Sequence, residues 1–236
     1  IKNCKLVNLL QAMRFIQIYL CISLSLLCFS CRNENKGKLF ELAEGSGIDF
    51  KNNVEEGKID NIFEFRNYYN GGGVAIGDIN NDGLADVFFT SNMGSNKLYL
   101  NKGNFKFEDI TGKTGFKQDS MWSTGVVLVD INGDGWLDIY VCNSGHMSDG
   151  NRRNKLYINN HDLSFTESAA KYGLEISAYT TQVSFFDYDN DGDLDCFMID
   201  NSPIPVNTLN NSNRRDLPDA EWPVANNLKG GGDHLF

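Results

Sequence analysis

Short runs of β-branched and aromatic residues recur along this chain, parted by clusters of Asn, Gly and Asp. Runs of this kind, bounded by turn formers, read as strands. The first set is Val74–Gly77, Val87–Thr90, Lys97–Asn101 and Phe105–Asp109, with Asn101-Lys102-Gly103-Asn104 as a hairpin turn. The same order then returns. GVAIGDINNDGLADVFFTSN (73–92) with NKLYLNKGNFKFEDITGKTGF (96–116) is matched by GVVLVDINGDGWLDIYVCNS (125–144) with NKLYINNHDLSFTESAAKYGL (154–174). A third copy, QVSFFDYDNDGDLDCFMIDN (182–201), resumes at DHLF (233–236). Four antiparallel strands in about 50–60 residues make one blade of a β-propeller. A lone blade has two open faces, so neighbouring blades must bury each other's flanks. The expected fold is all-β: a propeller of four-stranded blades, with units at about 73–116, 125–174 and 182–236.

Two further features bear on closure. Residues 39–48 (LFELAEGSGI) resemble FEDITGKTGF (107–116) and FTESAAKYGL (165–174), the fourth-strand ends of the full units. A stray fourth strand there is what a ring needs to complete its last blade. Two full units and a third broken off in its third strand do not close a ring of about four to eight blades. The propeller over 39–236 is therefore expected to be the N-terminal part of a longer one.

The turn between strands one and two carries the candidate chemistry. Residues 78–86 read DINNDGLAD, 130–138 read DINGDGWLD and 187–195 read DYDNDGDLD. Their starts lie 52 and 57 residues apart. Oxygen-bearing side chains fall at positions 1, 3, 5 and 9: Asp78, Asn80, Asp82 and Asp86; Asp130, Asn132, Asp134 and Asp138; Asp187, Asp189, Asp191 and Asp195. A hard cation such as Ca²⁺ takes about six to eight oxygens, and a short loop of alternating carboxylates delivers them. Glycine at position 6 permits the sharp turn inside the ligand ring. About three Ca²⁺ sites are expected. Without a cation, the carboxylates of each loop would repel one another at short range.

Charge agrees with this reading. The chain has 236 residues, with 21 Lys and Arg against 31 Asp and Glu, a formal net charge of −10. Three of those acids stand at ligand positions in each of the first two loops and four in the third. The acidity is largely loop chemistry, and without a basic patch to displace phosphate counterions it argues against a nucleic-acid partner.

The N-terminus reads as targeting rather than fold. Met13-Arg14 precedes an apolar run, Phe15 to Phe29, that ends in Ser30-Cys31. That length suits a secretory signal (1–31) better than a membrane span, which needs about 20 apolar residues. Residues 1–12 read as sequence upstream of a true start at Met13, and 32–38 as a polar tether. Cys28-Phe29-Ser30-Cys31 resembles a bacterial lipobox, which makes Cys31 the lipid acceptor. Cys28 and Phe29 depart from its usual pattern and Ser30 fits it; a plain signal peptide is the alternative. Contact with a membrane would then run only through this anchor. Of the remaining cysteines, Cys142 and Cys196 fall in apolar strand-like runs and read as buried free thiols rather than a bridge.

Other readings of the same residues are weaker. An EF-hand needs a bidentate Glu at position 12 and flanking helices, whereas position 12 is Phe89, Val141 or Met198 and the flanks are strands. Gly71-Gly72-Gly73 lacks the Lys-Ser/Thr of a phosphate loop and opens a strand, so crowding near the propeller axis explains it better. His146, His161 and His234 are scattered, with no zinc-like cluster. The Trp136 ring is expected to face solvent or a neighbouring blade. The longest interruption, after Asp195, carries Pro203, Pro205, Pro218, Trp222 and Pro223 and is the favoured ligand-docking insert.

The D-x-[DN]-x-D-G-x-x-D loop between two strands, at this period, resembles the FG-GAP/VCBS repeats of integrin-α-like calcium-binding propellers. With NYYNGGGVAIGDINNDGLADVFF, NKLYLN, FFDYDNDGDLD and the Ser-Cys signal, the chain is more specifically similar to VCBS-repeat lipoproteins of Bacteroidota. Many of those carry a C-terminal ASPIC/UnbV-type domain. The resemblance implies that the carbonyls of Leu84, Trp136 and Asp193 join the side-chain ligands in their loops.

The expected function is a calcium-stabilised extracellular or outer-membrane lipoprotein scaffold, or a periplasmic or secreted one. It would bind or adhere to a protein or glycan ligand without chemistry of its own. The alternative is a glycan-degrading enzyme or an accessory domain of one. That needs two carboxylates free of metal, and Asp119, Asp149, Asp216, Asp219 and Glu221 show no evident pairing.

Overall fold

A computed structural model describes residues 40–58, 60–63, 65, 67–116, 121–144, 152–201 and 234–236. The signal-like segment with Cys31, the tether, His146 and the proline-rich insert lie outside them. The chain divides into residues 1–42 and 43–236. Of the first part, residues 40–42 are described and form no strand, and Phe40 and Leu42 are exposed.

The second part is built of three antiparallel sheets. The first is β1 (Val74–Gly77), β2 (Asp86–Phe89), β3 (Lys97–Asn101) and β4 (Phe107–Asp109), hydrogen-bonded in that order. The second repeats it with β5 (Ser123–Val129), β6 (Asp138–Asn143), β7 (Lys155–Asn159) and β8 (Phe165–Glu167). The third holds β9 (Thr180–Phe186), β10 (Asp195–Asp200) and β11 (His234–Leu235). Apart from one 3₁₀ turn at Thr111–Lys113, no helix is described. No helix among the described residues is long and apolar enough to cross a membrane. The all-β architecture of four-stranded blades predicted by the pattern is the observed one.

Blades are held to each other by side chains that alternate across the pleat. In β6, Ile139 and Val141 join Phe88, Leu98, Leu100 and Ile110 of the first sheet in one apolar core. Tyr140 and Cys142 point the other way and join Val183, Cys196 and Met198 of the third sheet in a second core. All six residues of β6 are consequently buried. β1 is covered on one face only: Ala75 is buried while Val74 and Ile76 are exposed. Period-two alternation with both faces apolar is what a sheet sandwiched between sheets requires.

The thiols of Cys142 and Cys196 are free and buried, as the pattern predicts. Burial pushes the Cys196 thiol up to about 12. Burial, with Cys196 and Asp200 adding to it, takes Cys142 well above the ordinary thiol value.

Strand four of the first blade starts at Phe107, two residues later than the apolar run suggests. Asn104 and Phe105 have φ of 52° and 57°, left-handed values inside a turn closed by Lys102 N–H to the Lys106 carbonyl at 2.7 Å. The aromatic Phe105 is therefore a turn residue and 73% exposed. The segment likened to a stray fourth strand is irregular throughout its described part. It nonetheless makes the repeat's junction: Phe107 N–H donates to the Ser46 carbonyl at 2.7 Å, as Phe165 N–H donates to the Thr114 carbonyl at 2.9 Å.

The small residues opening each blade are explained by crowding. A Cβ on Gly73 would lie 2.7 Å from the Thr124 carbonyl, and one on Gly125 would lie 2.5 Å from the Thr181 carbonyl. The first strands of adjacent blades are in backbone contact there. Hydroxyls tie them together: Thr90 Oγ1 donates to the Thr124 carbonyl, and Thr124 Oγ1 to the Thr180 carbonyl at 2.6 Å. Phe65, Tyr68, Trp122 and Tyr179 cap the stack, with the Arg152 guanidinium 4.4 Å over the Tyr179 ring.

Candidate metal centre

Each aspartate-rich loop joins the first strand of a blade to the second, and its last aspartate is the first residue of that second strand. The three loops share one internal geometry. Position 1 accepts the backbone N–H of positions 5 and 6: Asp78 from Asp82 at 3.1 Å and Gly83 at 2.7 Å, Asp130 from Asp134 at 3.0 Å and Gly135 at 2.8 Å, Asp187 from Asp191 and Gly192, both at 3.1 Å. Position 3 and position 1 share the position-5 N–H, with Asn80, Asn132 and Asp189 at 3.3, 3.0 and 3.3 Å. Position 5 accepts the N–H of position 7: Asp82 from Leu84, Asp134 from Trp136, Asp191 from Asp193. These short bonds wind each loop around the side chains at positions 1, 3 and 5.

The winding needs left-handed backbone at two places. Position 6 is glycine in every loop, with φ of 85°, 84° and 96°. Position 4 is left-handed as well: Asn81 at 57°, Gly133 at 72° and Asn190 at 62°. This second requirement was not drawn from the sequence. Its signal was present, since Asn and Gly are the residues that tolerate such φ values most readily.

Position 9 locks the loop to the sheet. Asp86 accepts from Ile79 N–H at 3.0 Å and from Asn101 N–H at 2.7 Å. Asp138 accepts from Ile131 N–H at 3.2 Å and Asn159 N–H at 2.8 Å. Both are fully buried. Burial pushes these carboxyls above the usual carboxylate range; the N–H bonds oppose that push, and the acids at positions 5 and 1 add to it. Asp195, half-buried, accepts from Tyr188 N–H at 2.6 Å. The closing asparagines of NKLYLN and NKLYIN thus belong to the site, a role unassigned at the sequence level.

The donor set fits a hard cation. In the third loop, Asp187, Asp189 and Asp195 offer carboxylate oxygens all within 4.8 Å of one another. Anionic oxygens this close repel unless a positive charge sits among them. The first two loops replace the position-3 Asp with Asn80 and Asn132, whose amides also donate to Asp82 at 2.9 Å and Asp134 at 2.8 Å. All side chains named at positions 1, 3, 5 and 9 fall in the loops as the motif places them. Carboxylate, amide and carbonyl oxygens suit Ca²⁺ and offer nothing to a thiophilic metal.

Trp136 is half-buried. Its ring stacks on His161 of its own blade, centroids 4.7 Å apart and 15° between planes, while His161 Nε2 lies 3.1 Å from Asp134 Oδ2. The histidine contact and the Trp136 N–H hold the Asp134 carboxyl below its ordinary range. The carboxylates weighed for glycan chemistry, Asp119, Asp149, Asp216, Asp219 and Glu221, lie outside the described residues.

Comparison with known proteins agrees with the repeat. The profile of the FG-GAP-like repeat matches residues 78–141 and 144–198. The chain is similar to cartilage acidic protein 1 of Xenopus tropicalis, 35% identical over 133 residues, which is 56% of this chain and 20% of that protein. It is 29% identical to the human protein of that name over 130 residues, 55% of this chain and 19% of the relative. The mouse protein is 30% identical over 130 residues, again 55% of this chain and 20% of the relative. The chain thus spans about a fifth of the length of the curated relatives it matches. With repeat matches over half its length, and the matched motif folded as strand, acidic loop and strand in every blade, this chain belongs to the FG-GAP-like repeat family.

Proposed function

We propose that this chain is a calcium-stabilised scaffold at the cell exterior, whose blades present their rim to a protein or glycan ligand. One observation carries the reading. The same nine-residue loop, with the same internal hydrogen bonds to its carboxylates, sits at the same strand junction three times, so it serves the blade rather than a single reaction centre. Bound Ca²⁺ supplies the positive charge that relieves carboxylate repulsion. The residues do the rest: positions 1, 3 and 5 wind the loop, position 9 anchors it to strand three, and the Leu84, Trp136 and Asp193 carbonyls complete each ligand set. In this reading the scaffold performs no chemistry of its own.

Export follows from the apolar segment after Met13, with Cys31 as lipid acceptor and 32–38 as tether, in the manner of Bacteroidota surface lipoproteins. Relatives named as cartilage acidic proteins favour an extracellular setting. Extracellular modules hold calcium at about 10⁻⁴–10⁻³ M, so the loops are expected to be loaded outside cells. Calorimetry of the chain with millimolar calcium and with EDTA tests the reading. Chelation is expected to lower Tm by many degrees, and superimposable melts would reject a structural ion.

A further inference from the structure

We propose that the first two loops bind their ions as a linked pair, and that Asn159 is the positioning residue that links them. This inference rests on the calcium reading above. Asn159 ends β7 and is 3% exposed. Its backbone N–H holds Asp138, the buried position-9 residue of the second loop, at 2.8 Å. Its amide Nδ2 donates twice, to the Leu137 carbonyl of that loop at 3.1 Å and to the Ile79 carbonyl of the first loop at 2.8 Å. Ile79 in turn donates its N–H to Asp86, the buried position-9 residue of the first loop. A continuous chain of hydrogen bonds therefore runs Asp86–Ile79–Asn159–Asp138 between two buried carboxylates. The Asn159 side-chain oxygen is occupied too, accepting the His161 N–H at 2.9 Å, which fixes the amide's orientation.

A second link is independent of the first. Asn81 Nδ2, at position 4 of the first loop, donates to the Gly135 carbonyl of the second at 3.1 Å. The Asn81 link is not repeated at the next pair of loops, where position 4 of the second loop is Gly133, which has no side chain to reach across. Filling the first loop fixes Asp86 and Ile79, which places Asn159 and with it Asp138. By linkage the reverse holds with equal strength. Contiguous buried hydrogen bonds between two-state elements are a physical route for such coupling.

The test uses terbium(III), an oxygen-seeking substitute for calcium, on the full chain. Trp136 sits at position 7 of the second loop, where the first has Leu84 and the third Asp193, so tryptophan-sensitised emission reports the second loop; Trp136→Phe verifies the assignment. Asp78→Asn with Asp82→Asn empties the first loop. That double variant retains one carboxylate and is no less attractive to a cation next door than a filled loop. Emptying the first loop is expected to raise the terbium midpoint at the second about fivefold or more. In an Asn159→Ala background the same emptying is expected to move the midpoint by a clearly smaller factor, and with Asn81→Gly added to leave it unmoved. Asn81→Gly supplies a variant that spares the core, because the side chain is exposed and glycine adopts φ of 57° freely; it is expected to shrink the shift. Sensitised emission with a midpoint unaffected by the first loop would overturn the coupling while leaving calcium binding intact. No emission at all would overturn both.

Discussion

The second and third loops follow one motif and differ in what surrounds them. Asp138 is wholly buried, bonded to Ile131 and Asn159, beneath a core built by two flanking sheets. Asp195 is half-buried, and Asp187, Asp189 and Asp191 are exposed. The third loop also carries four acids at ligand positions against three in the second. Among the described residues, the position-9 aspartate of the second loop is held by two N–H groups and that of the third by the Tyr188 N–H. Neighbouring blades, rather than the nine residues themselves, decide the degree of anchoring.

The largest effect should come from cutting the anchor itself. Asp138→Ala orphans the buried N–H of Asn159, costing about 1–3 kcal/mol, and frees the half-buried N–H of Ile131. Asp195→Ala exposes its donor to water and is expected to cost less than half as much. Urea unfolding of both variants, in EDTA to remove the ion from the comparison, measures the difference. Equal losses would erase the distinction between the loops.

Hydrogen exchange gives a finer contrast. In EDTA, the amides of Asp191 and Gly192, held only by exposed carboxylates, are expected to exchange well before those of Asn101 and Asn159, held by buried ones. Uniform exchange across all four would show that the loops open together.

A smaller effect concerns strand three, which carries Tyr99 in the first blade where DHLF of the third has Phe236. Burial, aided by a 2.8 Å hydrogen bond to Asp49, raises the Tyr99 phenol from 10.0 to about 12. An acid whose pKa is raised on folding favours the fold while protonated. Its contribution is therefore complete below about pH 10 and is lost as pH rises from 10 toward 12. Tyr99→Phe is expected to flatten that part of the stability–pH curve and leave the acidic limb unchanged. The smallest effect is at the surface: Lys97 and Asp109 pair at 2.6 Å but are about one-third exposed, so Lys97→Met should change stability by less than about 1 kcal/mol.

Much of this was legible in the chain. The period-two runs marked the strands because a sheet between sheets must be apolar on both faces. The triple D-x-[DN]-x-D-G-x-x-D marked the loops because side-chain spacing within nine residues is a local matter. Phe105 misled as a strand residue, since its left-handed φ depends on how the Lys102–Lys106 turn closes rather than on its own β propensity. Trp136 could not be placed either. Its partner His161 lies in the hairpin between β7 and β8, two strands further along the same blade, a pairing that only the assembled blade creates.

The sequence by itself determined which residues pair as strands, where the acidic loops fall and that Cys142 and Cys196 are buried, because each follows from short-range spacing and polarity. Only the tertiary structure decided that Asp86 and Asp138 are sealed from water and that Asn159 reaches from one loop to the next. Those facts depend on which sheet stacks on which. Stacking brings together groups as far apart in the chain as Ile79 and Asn159, and no local pattern encodes that distance.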